Sequence, residues 1–321
     1  MYKFILIFLI ISSISSAQII NKITNEESKL IKLFDGGFFT EGPAYGTDGN
    51  IYFSDLTFTS ETNMQAGIIW KYDSQSEKTT VYRSPSGMAN GIEFDKFGNM
   101  IVCEGADFGG RKITSTNLST GKAKILSALY NEVPYNSPND LVIDSKNRIY
   151  FTDPRYTGYE KIEQPCFGVY SSDPDGKVTL LIPDIQMPNG IAVSPNEDKL
   201  YVGCNYEGVP EKGINPANYI LIYDLDNRDE VSNGKKFINY PDDYGPDGMT
   251  VDKNGNLYVA LRNEDNPGIY IYNSNAKLID KILLPEVPSN VTFGKGNDKN
   301  YLFITAGGSL YKIKVQSQGI N

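Results

Sequence analysis

One sequence plan occurs six times along the chain, and this repetition constrains the fold more than any other feature. Each copy begins with an acidic or amide residue after a tight turn and continues as a short apolar strand. A polar turn containing Gly or Asn follows, and then a strand with alternating apolar residues. The clearest copy occupies residues 245–259. The six lead residues are Glu41, Asn90, Asn139, Asn189, Asp247 and Asn290.

The spacing of these copies predicts the fold class. Self-similarity at a period of roughly 40–50 residues is typical of four-stranded propeller blades. Abundant Tyr, Val, Ile, Thr and Phe, with frequent Asn-Gly and Asp-Gly pairs, suits many short strands, and no long segment has helical periodicity. We therefore expect an all-β, six-bladed β-propeller that occupies residues 18–321 as one domain.

The two ends of the repeat array predict how the propeller closes. A lone strand at residues 30–35 precedes the first copy, and the sixth copy ends one strand short. If the early strand pairs with residues 309–315, it completes the last blade and removes an exposed sheet edge.

The N-terminus and the overall charge predict where the protein acts. Residues 1–3 give a positive start, residues 4–11 are apolar, and residues 15–17 form a small-residue site, which is typical of a secretory signal peptide over residues 1–17. A membrane span is the weaker alternative, because the apolar run is short. We expect an exported protein, periplasmic or secreted. The net charge of −9 argues against a nucleic acid or anionic membrane partner, and we expect a monomer or weak dimer.

The chain contains three cysteines, Cys103, Cys166 and Cys204. An odd number cannot pair completely within one chain, so free thiols are expected. A bridge between Cys103 and Cys204 is the alternative, which the separation of their blades disfavours.

The lead residues also predict a binding site. The first strand of each blade lines the central channel of a propeller, so equivalent positions meet in a ring. Two carboxylates, Glu41 and Asp247, and two amides, Asn139 and Asn189, suit a hard divalent cation. The chain has no His, so Ca²⁺ is favoured over Zn²⁺, with Mg²⁺ as a further alternative. All six lead residues could instead serve only as turn formers.

Several motifs carry a resemblance to a known family. They cover nearly the whole chain after the signal segment, and they are Glu41-Gly42-Pro43, Ser137-Pro138-Asn139-Asp140, Pro188-Asn189-Gly190, Pro246-Asp247-Gly248-Met249 and Asn290-Val291-Thr292-Phe293-Gly294. The chain resembles the gluconolactonase and regucalcin-like lactonases and, more distantly, the calcium-dependent phosphotriesterases. The resemblance implies one channel cation held at Glu41, Asn139, Asn189 and Asp247, with catalysis on Asp247.

Two departures from the family pattern affect the substrate. Ser137 stands where regucalcin-like members have an Arg, and Gly105 stands where many bacterial relatives have a His. Long insertions at residues 156–166 and 206–218 are candidate walls of a binding mouth. The residues that follow second strands, where loops should rim the channel, are Glu104, Asp107, Arg155, Tyr156, Asn205, Tyr206 and Arg262. Of these we expect Glu104, Arg155 and Tyr206 to bind substrate, and the last two stand at the start of the insertions. The alternative is that they are solvated loop residues.

The expected activity is metal-dependent hydrolysis of a small-molecule, sugar-acid lactone. The cation would act as a Lewis acid, and Asp247 would serve as general base or nucleophile. The alternatives are a calcium-dependent phosphotriesterase or arylesterase, and an exported propeller that binds a ligand without catalysis.

Overall fold

The computed structural model describes residues 22–64, 67–206, 218–226, 230–240 and 244–320. In these residues the chain forms six antiparallel sheets of four strands each. The inner strands of successive sheets contact one another, and the inner strand of the sixth sheet contacts that of the first. The predicted six-bladed propeller is therefore confirmed.

The blades follow one another along the chain, and each range below is given in the order inner, second, third and outer strand. The first blade comprises Thr40–Tyr45, Ile51–Asp55, Ile68–Asp73 and Lys78–Arg83. The second comprises Ala89–Phe94, Asn99–Glu104, Lys112–Asn117 and Ala123–Ser127, and the third Leu141–Ile143, Ile149–Asp153, Gly168–Ser172 and Val178–Ile182. The fourth comprises Pro188–Val193, Lys199–Cys204, Tyr219–Leu225 and Val231–Asn239, and the fifth Pro246–Val251, Leu257–Leu261, Gly268–Tyr272 and Leu278–Leu283. The sixth comprises Pro288–Phe293, Tyr301–Ala306, Ser309–Lys314 and the early strand Ile31–Phe34.

The early strand closes the ring as predicted. Ile31–Phe34 pairs antiparallel with Ser309–Lys314, with Lys32 opposite Tyr311. The residues before this strand add a second attachment, because Ile23 is buried between the fifth and sixth blades. The Ile23 amide donates to the Asp280 carboxylate at 3.1 Å. The closure therefore joins the N-terminal segment to both blades.

Six hydrophobic clusters hold the blades together, and each lies between two neighbouring blades. Each blade therefore packs against a neighbour on both faces. Because side chains alternate between the two faces of a strand, both sets of side chains in such a sheet are buried. The second strands show this directly, since Ile51–Asp55, Ile149–Asp153 and Leu257–Leu261 are buried at every position. The core is thus distributed around the ring.

Some features lie outside the blade pattern. The loops contain a short α-helix, Thr59–Thr62, a 3₁₀ turn, Gly296–Asp298, and a hairpin of Leu129–Tyr130 with Val133–Pro134. The segment predicted to be a signal peptide lies outside the described residues and stays a prediction. No helix in the described ranges has the length and apolar character needed to span a membrane. The three cysteines are free, as expected, with Cys103 and Cys204 buried.

Candidate active site at the channel mouth

Five of the six lead residues lie inside the inner strands, and Asn139 lies two residues before the inner strand of the third blade. Glu41, Asn189 and Asp247 are each the second residue of an inner strand. The pairing register shifts beside these residues, between Glu41 and Ala44 in the first blade. In the fourth and fifth blades it shifts in the three residues that follow Pro188 and Pro246. A β-bulge redirects the side chains beside it. The same irregularity therefore turns equivalent side chains toward one end of the channel.

A glycine follows most lead residues because neighbouring inner strands approach closely at the axis. A Cβ atom on Gly42 would overlap the carbonyl oxygen of Asn90 in the next blade, and one on Gly190 would overlap that of Asp247. Gly42 also has a φ of +46°, which L-residues rarely adopt. The glycines that follow the lead residues thus allow the ring to be narrow.

A cavity of about 210 Å³ lies at this end of the channel. All four predicted cation ligands, Glu41, Asn139, Asn189 and Asp247, line it. The rest of the lining is partly apolar and partly polar, and it comprises Phe39, Leu56, Phe58, Met88, Asn90, Gly105, Ala106, Ser137, Pro138, Tyr156, Thr157, Asn205 and Arg262. The structure therefore brings the four residues together, although they are spread over about 200 positions of sequence.

The cavity contains two buried carboxyl groups, those of Glu41 and Asp247. Glu41 is 3% exposed and Asp247 is 4% exposed. Burial raises the pKa of Glu41 well above its usual range, and repulsion from Asp247 and Asp140 raises it further. The Gly42 amide donates to Glu41 at 3.0 Å, which opposes this shift in part. Two buried carboxylates side by side are an arrangement that a bound cation would stabilise.

Arg262 supplies positive charge beside these carboxylates. Its Nη1 lies 3.4 Å from Oδ2 of Asp247, and its guanidinium lies over the Phe39 ring at 5.3 Å from the centroid. The same charge lowers the pKa of Glu41, although less than burial raises it. Arg262 directly follows the second strand of the fifth blade. This position in the repeat indicates a residue in the loops around the channel mouth.

The donor set fits a hard divalent cation better than a soft one. It offers carboxylate and amide oxygens, which are the usual ligands of Ca²⁺ and Mg²⁺. No group of three or more His, Cys, Asp or Glu side chains that could hold a metal occurs within the described ranges. A cation at the channel mouth would therefore depend on the amide oxygens of Asn139 and Asn189 as well as on the carboxylates.

The three residues predicted to bind substrate have other contacts. Glu104 accepts hydrogen bonds from Arg83 at 3.2 Å and Thr114 at 3.0 Å. Arg155 donates to the Asn136 carbonyl through Nε at 3.1 Å and Nη2 at 2.7 Å, which holds its loop in place. The amide of Tyr206 donates to Asn218 at 2.8 Å. None of these three is among the cavity-lining residues given above.

Their neighbours reach the cavity instead. Tyr156 and Asn205, which belong to the wider set of residues that follow second strands, line it. The second insertion predicted to form a wall lies mostly at residues 207–217, outside the described residues. Blade one contributes the apolar wall of Phe39, Leu56 and Phe58, which the repeat pattern did not indicate because these residues lie outside the repeated plan.

The opposite end of the channel has a smaller cavity of about 90 Å³, lined in part by Asp140, Asn290 and Ile320. Burial raises the pKa of Asp140 to about 7, although the Leu141 amide and the Asn290 side chain oppose the shift. The candidate active site is thus at the end where the inner strands begin.

Comparison with known proteins agrees with this architecture. Residues 39–308 match the family described as the SMP-30/gluconolactonase/LRE-like region. A gluconolactonase of Zymomonas mobilis is 29% identical over 88% of this chain and 80% of its own length. The lactonase drp35 of Staphylococcus epidermidis is 30% identical over 79% of this chain and 72% of its own length. The solved structure of a gluconolactonase from Xanthomonas campestris superposes with a TM-score of 0.77 at 26% identity, covering 93% of this chain and 92% of that one. The chain therefore belongs to the SMP-30/gluconolactonase/LRE-like family.

Proposed function

We propose that this protein is a metal-dependent hydrolase that opens a sugar-acid lactone in the channel-mouth cavity. The observation that carries the proposal is the convergence of Glu41, Asn139, Asn189 and Asp247 on one cavity. Its family membership supports the reaction class, because the relatives described above are a gluconolactonase and a lactonase.

The cofactor is one divalent cation, with Ca²⁺ favoured by the oxygen-only donor set. Glu41, Asn139, Asn189 and Asp247 would hold it. When bound, such a cation polarises the lactone carbonyl as a Lewis acid. Its charge would also offset the repulsion between Glu41 and Asp247, which burial intensifies.

The chain's own groups account for the remaining steps. Hydrolysis adds water to the carbonyl carbon and breaks the ring C–O bond, which leaves a hydroxy acid. Asp247 either takes the proton of the attacking water and returns it to the leaving ring oxygen, or attacks the carbonyl carbon itself. In the second route the ring oxygen leaves and takes a proton from water, and a second water hydrolyses the resulting anhydride to release the hydroxy acid and restore Asp247. Arg262, whose Nη1 is 3.4 Å from Asp247, is suited to stabilise the negative charge that develops on the carbonyl oxygen.

A second candidate is hydrolysis of aryl esters or phosphotriesters with an apolar substituent. One observation favours it: Phe39, Leu56, Phe58 and Met88 give the cavity an apolar wall. A fully hydroxylated sugar lactone would gain little from that wall, whereas an aryl group would bury apolar surface there.

The test combines a substrate screen with two variants. Aldonolactones, aryl esters and phosphotriesters are assayed by pH-stat with and without EDTA, and Ca²⁺ and Mg²⁺ binding is measured by calorimetry. Asp247→Asn should lower lactone turnover by at least about 100-fold even when metal is bound. Asn189→Ala should weaken metal binding, and excess metal should restore part of its rate.

Each outcome has a distinct meaning. Turnover in the screen that EDTA does not reduce would remove the cation from the proposal. Full turnover by metal-loaded Asp247→Asn would remove Asp247 from the chemistry. If no substrate class is hydrolysed by the metal-loaded protein, the proposed function is wrong.

A further inference from the structure

Tyr156 joins the third blade to a proposed cation ligand of the fourth. It follows the second strand of the third blade and lines the cavity. Its hydroxyl oxygen lies 3.2 Å from Nδ2 of Asn189, 2.8 Å from the Asn205 carbonyl oxygen and 3.3 Å from the Met187 carbonyl oxygen. One phenol group thus meets one side chain and two backbone acceptors.

The number of protons on these groups decides the direction of each hydrogen bond. A phenol has a single O–H donor, and a backbone carbonyl can only accept. The Tyr156 proton is therefore directed to a carbonyl, and the shorter distance selects that of Asn205. The hydroxyl oxygen is left to accept, so the Asn189 atom that faces it must be the amide nitrogen.

This choice fixes the other end of the Asn189 amide. With Nδ2 facing Tyr156, Oδ1 occupies the opposite side of the amide group. The backbone of Asn189 is held as well, because the Thr152 hydroxyl donates to its carbonyl oxygen at 2.8 Å. Thr152 belongs to the third blade, so two contacts from that blade set both the main chain and the side chain of Asn189.

We propose that Tyr156 is a positioning residue that holds the Asn189 amide with Oδ1 available to a divalent cation in the cavity. This inference rests on the cation site of the proposed function. Without the hydroxyl, the amide can rotate and present either atom, and an NH₂ group cannot coordinate a cation. Such partners of metal ligands typically affect metal affinity roughly 10- to 100-fold.

The test is Tyr156→Phe, with Tyr159→Phe as the matched control. Tyr159 lies in the same insertion, is 71% exposed and contacts Phe108. Calorimetric titration of the EDTA-treated protein with CaCl₂ should give a dissociation constant roughly 10- to 100-fold higher for Tyr156→Phe. Tyr159→Phe should bind Ca²⁺ as the wild type does. Excess Ca²⁺ should restore lactone turnover at least in part for Tyr156→Phe.

A double-mutant cycle separates positioning from general loosening of the fold. In an Asn189→Ala background the amide is absent, so Tyr156→Phe should cause no further loss of the Ca²⁺-dependent rise in Tm. A loss that persists in that background would overturn the inference, because Tyr156 would then act on the whole site.

Two further results are informative. If the wild type binds Ca²⁺ and Tyr156→Phe binds it equally well, the positioning role is wrong while the proposed function stands. If the wild type binds neither Ca²⁺ nor Mg²⁺, both the inference and the proposed cation site fail.

Discussion

Removal of the N-terminal segment should cost the propeller a large part of its stability. The perturbation compares a chain beginning at Gln18 with one beginning at Gly36. The shorter chain lacks the outer strand of the sixth blade, Ile31–Phe34. It also lacks Ile23, which is 5% exposed and packs between the fifth and sixth blades.

The expected magnitude follows from the buried apolar groups. Truncation of a buried Ile to Ala costs about 2–5 kcal/mol, and Leu33 and Phe34, which are half-buried, add about 1 kcal/mol each. The total of about 4–7 kcal/mol is comparable to the net stability of many domains, about 5–15 kcal/mol. The chain that begins at Gly36 should therefore be marginally folded or unfolded.

Urea unfolding followed by tryptophan fluorescence and far-UV circular dichroism measures this change. Trp70 is the single tryptophan of the chain, and its ring lies 5.0 Å from that of Phe34. Ile23→Ala should lower the free energy of unfolding by about 2–5 kcal/mol. Ile31→Ala, at a position that is 51% exposed, is the matched control and should change it by less than about 1 kcal/mol. Equal urea midpoints for the two chain lengths would refute the closure argument.

The remaining predictions concern the thiols and two side chains outside the cavity. Burial raises the pKa of Cys204 to about 12 and also raises that of Cys103, so both should react with a thiol reagent far more slowly than the less buried Cys166. Alkylation after denaturation without reductant should modify all three, and two unmodified cysteines in mass spectrometry would establish a disulfide. Arg155→Ala and Glu104→Ala should each lower the free energy of unfolding by about 1–3 kcal/mol, because their partners lose hydrogen bonds. An increased KM for lactone with an unchanged urea midpoint would instead identify them as substrate contacts.

The ring of lead residues was predictable because a repeat fixes equivalent positions. Glu41 and Asp247 belong to different blades, yet both are the second residue of an inner strand. Blade symmetry alone then places them at the same height in the channel. The closing strand was predictable for the same reason, since a count of strands per repeat left one missing.

The substrate-contacting rim was not predictable in the same way. Arg155 and Tyr156 are adjacent, but Arg155 turns toward the Asn136 carbonyl and Tyr156 toward the cavity. Neighbouring loop residues differ in this way because the path of the loop sets their direction, and no period governs it. Arg262 shares the strand-exit position of the predicted residues, and only the fold shows that its guanidinium reaches Asp247.

The glycines that follow the lead residues connect the fold to the chemistry of the site. Because a side chain on Gly42 or Gly190 would overlap the next blade, the inner strands can approach closely only if these positions lack a Cβ atom. A narrow ring in turn brings Glu41 near enough to Asp247 for repulsion to raise its pKa. Repulsion between Glu41 and Asp247 destabilises the site when no positive charge balances it, and the same repulsion would favour binding of a divalent cation there. The glycines that follow the lead residues therefore affect both the width of the channel and the charge density at its mouth.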